Sequence, residues 1–259
     1  MQMKIVRFLA QGRARYGVLE GENIKCLKGS PYATDLNFCK FTGDVFKLGS
    51  VTLLSPCAPS KVVCLGLNYH SHAMEVKAPL PPEPLIFLKP STAVIGSGEN
   101  IVLPRSSKHV DYEGEFGVVI SKKAKDVPEE KANDYILGYV CVNDVSERYY
   151  QKNDVQWSRA KGFDTFAPVG PWIVTGISAN DLKIETYLNG ELRQSSRTSD
   201  LIFGVPKLIN FISSVMTLLP GDVISTGTPA GVGQIKSGDV VEVCIENIGT
   251  LKNSVVAAA

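Results

Sequence analysis

The segment Asp111-Tyr112-Glu113-Gly114-Glu115-Phe116-Gly117-Val118-Val119-Ile120 sets the tightest limit on how this chain can fold. Carboxylates occupy alternate positions and then give way to β-branched residues. That spacing predicts one strand with Asp111, Glu113 and Glu115 on the same face. Like charges side by side on a strand repel. The face is tolerable if it is fully solvated or if it meets a cation. A second apolar run, Ile136–Val142, predicts a buried strand that ends in Asn143-Asp144. A carboxylate at the end of a buried strand calls for a partner. Glu113, Glu115 and Asp144 together offer three hard oxygen donors, which suit Mg²⁺, Mn²⁺ or Ca²⁺ rather than zinc. The residues alone leave a second reading open, in which Glu113 and Glu115 form a solvated edge and Asp144 caps the following helix.

Composition narrows the classes further. The chain has 259 residues, with 27 basic against 26 acidic side chains and a net charge of +1. No basic stripe is available to neutralise phosphates, so nucleic acid is not an expected partner. The six cysteines are scattered and form no Cys-x-x-Cys pair, which removes support for a zinc ribbon or a redox dithiol. Several sit in apolar, strand-like runs and read as buried, reduced thiols. No apolar stretch approaches the ~20 residues of a membrane helix, and the N-terminus lacks an apolar leader. A cytoplasmic protein is expected, with no membrane partner.

The pattern of elements is mainly β with some α. Lys4–Leu9, Tyr16–Leu19 and Asn23–Cys26 predict short strands in a small β-rich unit over residues 1–55. Ser55-Pro56-Cys57-Ala58-Pro59-Ser60 marks a boundary, because each proline fixes φ and disfavours helix before it. Residues 56–259 form the second unit. In it, Asn68 is placed to cap a short helix through Glu75. The proline-rich run 78–84 then fits a surface flap. Helices are also expected around Ser146–Asn153 and Val205–Val215, and alternation over Glu242–Glu246 predicts a half-buried strand.

Three further constellations carry possible chemistry. Arg148 and Gln151 share a helical face and could bind a substrate carboxylate, or simply face solvent. His72 and Glu75 are three apart, a spacing that can orient an imidazole as a general base or belong to a polar loop. Ser225–Gly233 lacks the endings of a nucleotide-binding loop but offers backbone N–H groups and Thr hydroxyls to an anion.

Taken in order, these pieces are more specific than any one of them. Gly-x-Asn-Tyr-x-x-His-x-x-Glu (66–75) precedes Tyr-Glu-Gly-Glu (112–115) and Asn-Asp-Val-Ser-x-Arg-x-x-Gln (143–151). Arg-Ala-Lys-Gly-Phe-Asp-Thr-Phe (159–166), Leu-x-Pro-Gly-Asp-Val-Ile-x-Thr-Gly-Thr-Pro-x-Gly-Val-Gly (218–233) and Ser-Gly-Asp-Val-Val-Glu (237–242) follow. Over roughly residues 55 to 255 the series resembles the fumarylacetoacetate hydrolase family, and in length it resembles the shorter members. The resemblance implies a mixed β-sandwich roll, a homodimer, and Mg²⁺ or Mn²⁺ (Ca²⁺ as a substitute) on Glu113, Glu115 and Asp144. His72 and Glu75 match a catalytic pair on a lid, and Lys161 joins them. Arg148, Gln151, Thr228, Tyr69 and Gly227 match positions around the bound oxo acid. The implied activity is on a small 2-oxo, dicarbonyl carboxylic acid through a metal-stabilised enolate. It is expected to be that of an acylpyruvase-like C–C hydrolase or an oxaloacetate decarboxylase/tautomerase. The alternative is a 2-hydroxyhepta-2,4-diene-1,7-dioate isomerase or 5-oxopent-3-ene-1,2,5-tricarboxylate decarboxylase. A distant alternative is a non-catalytic metal- or oxo-acid-binding protein.

Overall fold

A computed structural model describes residues 2–32 and 39–258. The apolar runs read from the sequence become the centre of a large mixed sheet. Its order is Phe41–Lys47, Asn23–Leu27, Arg13–Glu20, Lys4–Ala10, Ala167–Val174, Ile136–Asn143, Gly114–Ile120, Val223–Ser225, Lys61–Gly66 and Leu85–Pro90. Lys4 and Ile5 pair with Val174 and Ile173, so the N-terminal strands continue directly into this sheet. A five-stranded sheet packs against it, ordered Glu191–Arg197, Lys183–Leu188, Val240–Ile245, Gly249–Ala257 and Ile101–Leu103. The architecture is the expected mainly β sandwich with a small β-rich N-terminal region.

The core lies between these layers. Phe116, Val118 and Ile224 of the large sheet meet Ile184, Val243, Ile245 and Leu251 of the smaller one. The helix Val205–Val215 closes one end and buries Leu208, Ile209 and Ile212, an i, i+1, i+4 stripe typical of an amphipathic helix. Val240–Ile245 alternates between half-buried and buried positions as its sequence predicts. Four cysteines are buried, and none forms a disulfide among the described residues.

Two local expectations change. The run from Asp111 to Ile120 is not one strand. Val110–Tyr112 belongs to a separate three-stranded sheet with Ser146–Glu147 and Gly233–Gln234, whereas Gly114–Ile120 lies in the large sheet. The chain crosses between them at Glu113, whose N–H donates to the Asn143 side chain at 3.0 Å instead of to a strand partner. Gly114 permits the crossing, because a Cβ there would collide with Thr186 Oγ1. Asn68 does not cap the lid helix. That helix, His70–Glu75, starts from Tyr69 with no side-chain cap. The Asn68 amide instead accepts from Phe203 N–H at 2.8 Å and donates to Thr226 O at 2.8 Å, tying the base of the lid to two neighbouring segments.

Candidate metal and oxo-acid site

Splitting the Asp111–Ile120 run places Glu113 at a seam between sheets and Glu115 on a buried central strand. Asp144 follows the neighbouring strand, where its N–H donates to Glu113 O at 2.8 Å. Carboxylate oxygens of Glu113, Glu115 and Asp144 lie within 4.8 Å of one another. Their exposures are 6%, 1% and 1%, which rules out a solvated edge. Nor does Asp144 cap the next helix. Glu147 does so, accepting from Tyr150 N–H, and helix Arg148–Asn153 begins later than expected because Ser146–Glu147 is strand.

Three cations hold this acidic group. Lys161, only 2% exposed, donates from Nζ to Glu113 Oε2 at 2.8 Å and to Asp144 Oδ2 at 2.7 Å. Arg148 Nη2 meets Glu113 Oε1 at 2.5 Å, and its Nε donates to Asp111 Oδ2 at 2.7 Å. Arg148 Nη1 donates to Gln151 Oε1 at 2.7 Å, so the predicted shared face exists but is turned inward. Asp111 is therefore an arginine partner rather than a member of the acidic triad. The third cation, Lys89, was not anticipated. It is 0% exposed, lies 2.7 Å from Asp144 Oδ1, and donates to Val145 O and Phe166 O at 2.8 and 2.6 Å. The available signal was a lysine inside the apolar run Leu85-Ile86-Phe87-Leu88-Lys89, since lysine is rarely buried unless paired.

These contacts set the protonation of the group. Burial works to raise the Glu113 carboxyl, but the Lys161 and Arg148 charges outweigh it and hold Glu113 well below the usual carboxylate range. Glu115 goes the other way: burial, then the charges of Asp144 and Glu113, push it well above that range. Burial disfavours a charged Lys161, yet Asp144 and Glu113 raise its pKa above an ordinary lysine's. Glu115 Oε2 accepts from Ser225 Oγ at 2.5 Å and from Gly227 N–H at 2.9 Å. Ser225 was also not anticipated. The Thr228 hydroxyl donates to Gly114 O at 2.9 Å and accepts from Gln194 Nε2 at 2.8 Å. The predicted anion loop thus braces the carboxylates from the far side. The Tyr69 hydroxyl is buried without a hydrogen-bond partner among the described residues.

The lid pair is formed. His72 Nδ1 is 2.8 Å from Glu75 Oε2, and Glu75 Oε1 accepts from Gly231 N–H at 3.0 Å, which docks the lid helix on the 225–233 loop. The flap beyond it leaves Val76 and Leu80 exposed, as is Met74. A cavity of about 580 Å³ opens beside His72, Asp111 and Arg148. A larger one, about 680 Å³, lies between 136–139, 176–180 and the start of helix Val205–Val215 and touches none of the three carboxylates. Among the described residues, no helix is long and apolar enough to cross a membrane.

Known proteins share this fold and sequence. Residues 61–256 match the family model described as fumarylacetoacetate (FAA) hydrolase C-terminal, and residues 3–56 match one described as Rv2993c-like, N-terminal. A mitochondrial oxaloacetate tautomerase of Bos taurus is 41% identical over 265 residues, covering 97% of this chain and 79% of its own length. The crystal structure of 5-carboxymethyl-2-hydroxymuconate delta-isomerase from Mycobacterium smegmatis superposes with a TM-score of 0.92 at 44% identity, covering 99% of this chain and 100% of that one. Maleylpyruvate hydrolase from Sphingobium sp. SYK-6, solved with manganese(II) and pyruvate, has a TM-score of 0.82 at 30% identity, with 99% and 100% covered. The chain belongs to the fumarylacetoacetate hydrolase family.

Proposed function

We propose that this protein is a divalent-metal-dependent enzyme acting on a small 2-oxo carboxylic acid with a second carbonyl, as an acylpyruvase-like C–C hydrolase or an oxaloacetate decarboxylase/tautomerase. The observation that carries the reading is the buried cluster of Glu113, Glu115 and Asp144 facing Lys161 and Arg148. With Glu115 ionised, as metal ligation requires, four carboxylates, counting Asp111, stand against three cations, counting Lys89, and leave one net negative charge. A divalent cation turns that into one net positive charge, a site suited to an anionic oxo acid. Hard oxygen donors favour Mg²⁺ or Mn²⁺, with Ca²⁺ as a substitute.

When bound, the cation supplies Lewis acidity at the 2-oxo carbonyl. The chain's own residues do the rest. His72, donating through Nδ1–H to Glu75, keeps Nε2 free to take a proton from water. The resulting hydroxide attacks the distal carbonyl, the C–C bond breaks, and the electron pair moves to the oxo-acid end. The Lys161 ammonium meets the negative charge that develops there. Arg148 and Gln151 orient the substrate carboxylate, while Tyr69, Gly227 and Thr228 border it. The unpartnered Tyr69 hydroxyl supports a donor role. Residues 1–55 and 56–259 act as a covering unit and a catalytic unit, in a cytoplasmic homodimer that sedimentation would detect.

The second reading is isomerisation or decarboxylation of a hydroxy-diene dioate, favoured by the likeness to the muconate isomerase at a TM-score of 0.92. EDTA-treated protein supplied with Mg²⁺ or Mn²⁺ and a panel of oxaloacetate, acylpyruvates and fumarylpyruvate separates the reactions. Enol–keto exchange, carbon dioxide release and C–C cleavage are read separately. Metal binding with no turnover of any member would overturn the first reading.

A further inference from the structure

The strand Lys4–Ala10 carries a charge on a face that is otherwise apolar. Side chains alternate along it, so Ile5, Arg7 and Leu9 share that face. Ile5 is packed into a buried cluster with Cys57, against which Tyr16 and Tyr32 lie. Arg7 is half-buried and stands opposite Tyr16 on one neighbouring strand and Leu54 on the other. Among the described residues, no carboxylate oxygen lies within 4.0 Å of its guanidinium. Its Nη1 donates only at 3.5 Å, to Ser55 O. The groups around it are neutral. Burial pushes the Cys57 thiol up to about 12 and raises the Tyr16 and Tyr32 hydroxyls, so all three keep their protons. A cation drawn into the protein without a counter-charge is uncommon.

Arg7 lines a cavity of about 350 Å³, within the range of roughly 300–1,000 Å³ that small-molecule sites occupy. The cavity lies where the two family matches, 3–56 and 61–256, meet. Arg7 and Ser55 wall it from the first, Ser91 and Glu99 from the second, and Cys57 and Pro59 join them. Neither the three clustered carboxylates nor Arg148 reaches it. Ser55 is 6% exposed, and its hydroxyl is buried without a hydrogen-bond partner among the described residues. Glu99 is the one carboxylate in the lining, and its Oε2 accepts from Gly96 N–H at 2.5 Å. A guanidinium that faces no anion and a buried O–H that donates to nothing therefore border the same hollow.

We propose that Arg7 and Ser55 bind a small oxyanion of the phosphate class in this cavity, apart from the carboxylate cluster. The guanidinium fork takes two oxygens and the Ser55 hydroxyl donates to a third. A carboxylate fills the fork with its two oxygens and leaves that hydroxyl unmet. The volume exceeds what inorganic phosphate fills, so a small phosphate monoester is admitted. Because the walls come from both units, a bound anion ties the small β-rich unit to the larger one.

The test uses the full chain and inorganic phosphate, with acetate and sodium chloride at equal ionic strength as controls. Calorimetry should show one saturable phosphate site, and phosphate should raise Tm by mass action where the controls do not. Arg7→Met should weaken phosphate binding by about tenfold or more, the loss of a charge-assisted contact. Without phosphate that variant should melt no lower than wild type, since the charge it removes has no partner. Ser55→Ala, a smaller change, should weaken binding by about two- to tenfold. Absence of saturable binding, or phosphate affinity unchanged in both variants, overturns the site. Acetate binding as tightly as phosphate overturns the phosphate class. An Arg7→Met protein that melts well below wild type without phosphate makes Arg7 a structural residue and overturns the proposal as well.

Discussion

Replacing Lys89 by Met tests whether the buried lysine is what makes Asp144 tolerable where it lies. The substitution keeps the length and apolar stem of the side chain but removes every donor. Three oxygens lose Nζ: Asp144 Oδ1, an ion-pair partner at 2.7 Å, and the hydrogen-bonded carbonyls Val145 O at 2.8 Å and Phe166 O at 2.6 Å. The loss is softened at two of them, because Phe166 O still accepts from Val145 N–H and Asp144 keeps Lys161. Breaking a buried ion pair by removing one partner costs about 3–5 kcal/mol. Since Asp144 retains one cation, the lower end applies, about 3 kcal/mol out of a typical total of roughly 5–15. For a chain of this size that corresponds to a fall in Tm of roughly 6–12 °C. The assay is thermal unfolding at one scan rate in EDTA, repeated with saturating Mn²⁺. A bound divalent cation supplies the positive charge that Lys89 no longer does, so the deficit should be smaller with Mn²⁺ than in EDTA. A variant as stable as wild type in EDTA, or one equally destabilised in both conditions, would refute the view that Lys89 balances the charge of Asp144.

Further expectations follow from the same contacts. Asp144→Ala should lose tight metal binding, and unchanged affinity by calorimetry would remove Asp144 from the ligand set. His72→Ala should lower kcat by a factor of about 10²–10⁴ while metal affinity survives. Full turnover by that variant would end its assignment as general base. Glu115 is expected to hold a proton in the metal-free protein, because burial and the charges of Asp144 and Glu113 raise its pKa. A raised carboxyl contributes stability that is fully present below the ordinary carboxylate range and is lost as pH rises through the elevated folded value. Metal-free protein should therefore lose stability on the alkaline side of that range. Metal loading should release a proton and strengthen with pH. Calorimetry in buffers of different ionisation enthalpy measures the release, and a heat independent of buffer would refute it.

Much of the site could be read from spacing. Helix Val205–Val215 follows from its apolar pattern, Glu113, Glu115 and Asp144 group as candidate ligands from two separate strand patterns, and the His72–Glu75 pair emerges from the order of the motifs. What escaped was decided by tertiary contact. Alternation over Asp111–Ile120 reports faces but not sheet membership, so the crossing at Glu113 and the diversion of Asp111 to Arg148 could not be read from it. Lys89 stands at the end of an edge-strand run, and only its burial beside Asp144 makes it part of the site. Asn68 sits where a helix cap belongs, but Phe203 and Thr226, far along the chain, take its amide.

The seam at which Glu113 lies also bears on when the site comes into being. Its carboxylates are positioned by the pairing of Gly114–Ile120 with Val223–Ser225, and Val223–Ser225 in turn runs parallel to Lys61–Gly66. At the edge of that parallel pair, Ser60 N–H donates to Asp222 across 162 positions of sequence. Closing so long a loop precedes any reward from the contacts it brings, and topologies of this kind fold slowly. The acidic cluster is thus a late product of folding. A divalent ion has no preformed site to grip in the collapsing chain. An ion taken up by the cluster would act on the finished sandwich, so added metal is expected to slow unfolding while leaving the folding rate almost untouched.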